Sequence, residues 1–139
     1  MKVKELATRN KISADTVRHY SRIGLLTPSI DSENGYKDFS LADEKRLQFI
    51  VQAKSLGFSL SDIETIIAES NSGHSPCPQV RELMAQRLKE FEQKIKDMQN
   101  THKKMLQAME NWQDLPDCTP SGNQVCHLIE NFSGDKENV

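Results

Sequence analysis

From Pro78 to Trp112 the chain runs without a glycine or an internal proline, and apolar residues recur at Met84, Leu88, Phe91, Ile95, Met98, Met105, Met109 and Trp112. With His102 included, successive positions lie four and three residues apart in strict alternation. That alternation is the mark of a coiled-coil seam, because it holds one narrow stripe on one side of a helix. A helix of this length reaches roughly 50 Å at about 1.5 Å per residue, too far to be buried within a single chain of 139 residues. The stripe therefore needs a partner, and the economical one is the same helix of a second copy, in a two-fold homodimer. His102 stands at a seam position, where a polar residue can fix register.

Upstream, breakers divide the chain into short helical patterns. Val3, Leu6 and Ala7 share one face, Asn10-Lys11-Ile12 makes a tight connection, and Ser13 is placed to cap a second helix that turns Val17 and Tyr20 toward the same core. This is a helix-turn-helix outline. Gly24 stops the second helix, Pro28 enforces an extended path, and Asn34-Gly35 beside the β-prone Tyr36 and Phe39 predicts a two-stranded wing. Ser40 with Asp43 opens a third helix carrying Leu41, Leu47, Ile50, Val51 and Ala53 as far as Gly57. Ser61 with Glu64 signals a fourth, with Ile63, Ile66, Ile67 and Ala68, ending near Ser70.

Beyond Asp114 a Pro- and Gly-containing loop leads to Val125, Cys126 to Glu130 allows one further turn, and the polar segment from Ser133 to Val139 is expected to be disordered. The expected fold is all-α with a small β-hairpin wing. A winged helix-turn-helix DNA-binding domain with a second helix pair occupies 1–72, and a dimerisation helix 76–113. A loop with a short terminal helix follows at 114–132, then a tail at 133–139.

Composition narrows the function. The chain is too short for a large two-domain enzyme. It has no apolar run near the roughly 18 residues needed to cross a bilayer and no apolar leader, which predicts a cytoplasmic protein without a membrane partner. Gly-rich phosphate loops, nucleophile elbows and His-Glu zinc-protease motifs are all missing, so no enzymatic activity is expected. The formal charge of −2 hides an asymmetry: residues 1–50 hold nine Lys/Arg against seven Asp/Glu, the remainder nine against thirteen. The N-terminal part is the better candidate for an anionic partner.

On the second helix Thr16, Arg18 and His19 are polar, with Arg22 just beyond, and they face the groove in a helix-turn-helix docked on duplex DNA. Arg18 and Arg22 can pair with phosphates or guanine edges, the hydroxyls of Thr16 and Tyr20 can donate to phosphate, and Tyr36 and Lys37 at the Gly35 turn of the wing can do the same. At these residues the sequence resembles the MerR family of bacterial transcription regulators. The resemblance is carried by Thr16-Val17-Arg18-His19-Tyr20 with Ile23-Gly24-Leu25-Leu26, by Glu33-Asn34-Gly35-Tyr36-Lys37, and by Leu56-Gly57-Phe58-Ser59-Leu60 with Ile63. It extends from Val3 to about Glu130. His19 replaces the family's usual aromatic hydroxyl and Lys37 its usual arginine. The resemblance implies a dimer on an inverted-repeat promoter whose elements are badly set for RNA polymerase. An effector then turns the dimer from repressor to activator by distorting the DNA.

The three cysteines lie outside the DNA-binding part: Cys77 at the start of the long helix, Cys118 and Cys126 in the loop after it, with His127 adjacent. An odd count argues against a disulfide framework and for metal or redox chemistry. If the long helices pair antiparallel, Cys77 of one protomer approaches Cys118 and Cys126 of its partner. His127 could complete three sulfurs and one nitrogen, a common zinc set, or be a surface histidine that merely follows a ligand. The resemblance implies the same site, since the family's divalent-ion branch adds a cysteine at the start of the dimer helix where its copper branch has serine. The expected effector is zinc, cadmium or lead, with mercury also suited to three thiolates. The alternatives are copper(I), oxidation of Cys118 and Cys126, or a metal-stapled coiled coil without DNA binding.

Overall fold

In the computed structural model, which describes residues 1–133, the elements follow in the order α1 (Val3–Arg9), α2 (Ala14–Arg22), β1 (Ser29–Ile30), β2 (Lys37–Asp38), α3 (Leu41–Ser55), α4 (Leu60–Asn71), α5 (Cys77–Trp112) and α6 (His127–Glu130). The chain divides into two compact units, Met1–Arg87 and the residues from Leu88 on, with α5 passing from one into the other. Most of the tail expected to be disordered, 134–139, lies outside the described residues.

The first unit is built on local signals that the chain honours. Ser13 Oγ accepts the Thr16 N–H at 3.1 Å and caps α2. Ser40 and Asp43 form a reciprocal capping box at α3. At α4 the box is made by Ser59 and Asp62, two residues before the expected Ser61 and Glu64. The correction has a simple cause: Gly57 adopts a φ of 98° to end α3, and Phe58 drops straight into the core, so the next helix starts at once. Leu6, Val17, Leu26, Leu47, Ile50 and Ile63 are fully buried and join the elements into one core. Each such side chain contributes about 1.5–3 kcal/mol through removal from water.

The helix-turn-helix is also braced by polar contacts. Arg9 donates twice to the Glu44 carboxylate at 2.9 Å, and Asn10 Nδ2 donates to the same group at 3.0 Å, linking α1 to α3. These hydrogen bonds, from Arg9 first and then Asn10, hold the Glu44 carboxyl below its usual range.

The wing forms as an antiparallel pair, Ser29 opposite Asp38 and Ile30 opposite Lys37. Its connection is longer than the Asn-Gly step alone. Gly35 has a φ of 71°, its N–H donates to Asp31 O at 2.8 Å, and the Asp31 N–H donates to Tyr36 O at 2.8 Å. Tyr36 thus sits in the loop and Phe39 in the core.

The start of α5 belongs to the first unit. Leu83 is buried in its core, Val80 and Met84 pack against it, and Arg87 Nε lies 3.1 Å from Asp62 Oδ2. The spacing puts Met84 at the seam, but the first turns of α5 are used within the chain. From Leu88 on, the seam residues Phe91, Ile95, Met98, Met105 and Met109 are all exposed. The end of α5 is joined to α6 by Trp112, whose Nε1–H donates to Leu128 O at 3.1 Å and whose ring meets Phe132 edge-on at 6.3 Å.

Candidate nucleic-acid interface and metal centre

α2 and the wing, with the first residues of α1, enclose a groove of about 720 Å³ lined by Lys2, Val3, Lys4, Arg18, Asn34, Gly35, Tyr36 and Lys37. Four of these side chains are cationic and none is acidic, which is the lining a phosphate backbone requires. Tyr36 is 66% exposed, so its hydroxyl is available at the rim. The wing loop is held in shape by side-chain acceptors: Asn34 Oδ1 takes the Tyr36 N–H and Asp31 Oδ1 the Glu33 N–H, both at 2.9 Å. Lys37 Nζ reaches Ser21 Oγ at 3.1 Å and ties the wing to α2.

The other sequence-derived residues divide by exposure. Arg18 and Arg22 are exposed; Arg18 pairs with Asp15 at 2.8 Å, and Arg22 Nη2 lies 3.4 Å from His19 Nδ1. The Thr16 hydroxyl is within 2.8 Å of Ser13 Oγ and shares in the cap. Tyr20 packs into the core at 7% exposure, so its ring supports α2 from behind. Sequence reasoning missed Lys2 and Lys4. Their signal was slight, two lysines ahead of a short helix, and only the fold sets them beside the wing. Lys2 lies 3.7 Å from Asp31 Oδ2, with its ammonium 5.9 Å from the centre of the Tyr36 ring.

The candidate metal ligands are free thiols. Cys77 is exposed at the first residue of α5, its N–H donating to Ser75 Oγ at 3.4 Å. Cys118 is exposed and its thiol donates to Pro116 O at 3.8 Å. Cys126 is half-buried at the start of α6, where the Glu130 carboxylate accepts the N–H groups of Val125 and Cys126, both at 3.2 Å. His127 Nε2 lies 2.9 Å from the same Pro116 O. One carbonyl thus gathers Cys118 and His127, while Glu130 closes the loop on Cys126. Cys77 belongs to the first unit and the other two cysteines to the second. Among the described residues no three His, Cys, Asp or Glu side chains converge on a metal-sized site. His74, in the segment before α5, lies 3.0 Å from Ser72 Oγ and 3.7 Å from Glu69.

Known proteins share this organisation. Residues 1–70 match the family model described as MerR HTH family regulatory protein, and 44–108 the one described as MerR, DNA binding. A probable heavy metal-dependent transcriptional regulator of Haemophilus influenzae is 30% identical, covering 96% of this chain and 100% of that protein. The transcriptional regulator ZntR of Escherichia coli K12 is 26% identical over 93% of this chain and 89% of its own length. Among solved structures, the transcription regulator PbrR691 from Ralstonia metallidurans CH34 in complex with lead(II) superposes with a TM-score of 0.70 at 19% identity, over 94% of this chain and 98% of that one.

Proposed function

The chain belongs to the MerR family and is a metal-responsive regulator of transcription, and from that premise we propose that its homodimer sits on an inverted-repeat promoter and activates metal-resistance or efflux genes when a divalent ion binds. Residues 1–72 read the DNA through Arg18, Arg22, His19, Thr16, Tyr36 and Lys37, joined by Lys2 and Lys4. Residues 76–113 pair antiparallel with the partner through the exposed stripe. Within 114–132, Cys118 and Cys126 meet the second protomer's copy of Cys77.

The observation that carries this reading is the placement of three free cysteines, one opening α5 and two in the loop behind it. A buried structural role would suit none of the exposed pair. Three thiolates around a divalent ion leave a charge of −1, and around a monovalent ion −2, so a partly enclosed site favours zinc, cadmium or lead over copper(I). Bound there, the ion supplies a cross-link between the loop of one protomer and the helix start of the other. The protein's own contribution is mechanical. The first turns of α5 are packed on the DNA-binding core through Leu83 and Met84, so a change in how the paired helices cross moves both wings relative to each other. The promoter is then bent and untwisted toward a form RNA polymerase can use.

The test is transcription from a candidate promoter with purified protein and polymerase, titrating zinc, cadmium, lead, mercury and copper(I) beside a Cys77→Ser variant. Activation by divalent ions that the substitution abolishes is the expected result. Activation by copper(I) alone, indifferent to Cys77→Ser, would overturn the divalent assignment. A response only to oxidant would move it to thiol redox sensing.

A further inference from the structure

We propose that Asp15 sets base specificity: its carboxylate accepts a hydrogen bond from the exocyclic amino group of a cytosine in the major groove of each half-site, and it holds Arg18 beside that base. This rests on the reading above that α2 enters the groove. Val17 and Tyr20 are buried on one side of α2, while Asp15, Arg18 and Arg22 stand exposed on the other, with His19 half-buried beside them. A recognition helix meets base edges with its N-terminal residues, and Asp15 is the second residue of α2. Its side chain is 93% exposed, against 49% for Arg18.

A carboxylate on that face has few uses. It only accepts, and the phosphates around it are anionic acceptors that repel it. The major groove offers it amino groups on cytosine and adenine, and a side chain that brings no donor for adenine N7 matches cytosine. Arg18 lowers the cost of the approach. Its Nη1 donates to Asp15 Oδ1 at 2.8 Å, which offsets the negative charge and leaves Oδ2 for the base. An exposed pair of this kind stabilises a helix little, so it orients Arg18 more than it holds α2 together. Arg18 in turn lines the groove with Lys4, Tyr36 and Lys37, which joins the base contact to the cationic track along the wing. The turn that carries Asp15 is set before DNA arrives, because Ser13 Oγ accepts the Thr16 N–H and lies 2.8 Å from the Thr16 hydroxyl.

The experiment selects binding sites from a pool of randomised duplex DNA with the full-length protein and with its Asp15→Ala, Asp15→Asn and Arg18→Ala variants, and sequences what each retains. Wild-type sites should carry a C·G pair at one position of each half. Asp15→Ala should accept any base there and keep the remaining positions, whereas Asp15→Asn, able to meet both N6 and N7 of adenine, should move that position toward adenine. Duplexes substituted at that position should bind the wild type about five- to 150-fold more weakly and Asp15→Ala with little change. On DNA of unrelated sequence Asp15→Ala should bind more tightly, since a repelling charge is gone. Tighter binding with the selected site unchanged overturns the inference and leaves Asp15 acting by charge alone. A position that is lost but carried an A·T pair overturns the cytosine assignment. Preference lost at every position together marks a displaced helix and overturns it as well. If the wild type selects no common site, or neither Asp15→Ala nor Arg18→Ala alters it, α2 is not the reading helix and both readings fall.

Discussion

The two units treat the same residue types in opposite ways. In the first, Ile50 and Ile63 are wholly buried among residues of their own chain; in the second, Ile95 on α5 is 54% exposed and Met98 is 73% exposed. The chemistry of the side chains does not differ, only the presence of a facing layer. Four helices, a hairpin and the first turns of α5 supply that layer to the first unit, which needs no second copy to complete its core. A single helix cannot supply its own, so on the proposed reading the stripe on α5 is completed by association, which would make its stability depend on protein concentration. The proposed DNA contacts thus come from the part of the molecule that holds its shape alone, whereas the proposed sensing draws on both, Cys77 from the first unit and Cys118 and Cys126 from the second.

The sharpest way to break this contrast is Leu47→Ala, which should destabilise the first unit by about 2–5 kcal/mol, read by chemical denaturation with a loss that does not vary with protein concentration. A concentration-dependent loss would mean that the first unit also draws on the partner. Ile95→Ala combined with Met98→Ala should leave that unfolding transition in place and weaken dimerisation by about ten- to a hundredfold, roughly 1.4–2.8 kcal/mol, by sedimentation equilibrium. An unchanged dimer would remove the seam from the interface. Ser59→Ala should cost about 1 kcal/mol, whereas Ser61→Ala should stay within about 0.5 kcal/mol; reversed costs would restore the later helix start.

Changing Lys2 and Lys4 to Ala should lower the slope of log affinity against log salt by about 1 for each phosphate no longer neutralised, measured by fluorescence anisotropy on duplex DNA. No change in slope would exclude them from the interface. The smallest effect at neutral pH is acid stability. The Glu44 carboxyl is held low in the folded state, so its contribution is present above the unfolded glutamate range and is lost as pH falls through the folded value. Glu44→Gln should flatten that acid limb, and denaturation midpoints followed from neutral pH downward would expose a limb that stays steep.

What the sequence by itself determined was local. The capping serines at α2 and α3, the glycine that ends α3, the long helix and the four-three stripe each depend on residues within a turn or two of one another, and each could be read without the fold. The motifs around Arg18, Gly35 and Leu60 carried the family for the same reason. Tertiary structure decided the rest. It buried Leu83 beside the expected seam residue Met84, because a helix crossing a core offers whichever side faces it. It brought Arg9 and Asn10 to Glu44, Lys2 and Lys4 to the wing, and Cys118 and His127 to one carbonyl. Periodicity and capping act over three or four residues. Residues drawn together over longer spans meet only after the chain has paid the entropy of closing the loops between them, and no local pattern records where those closures bring them.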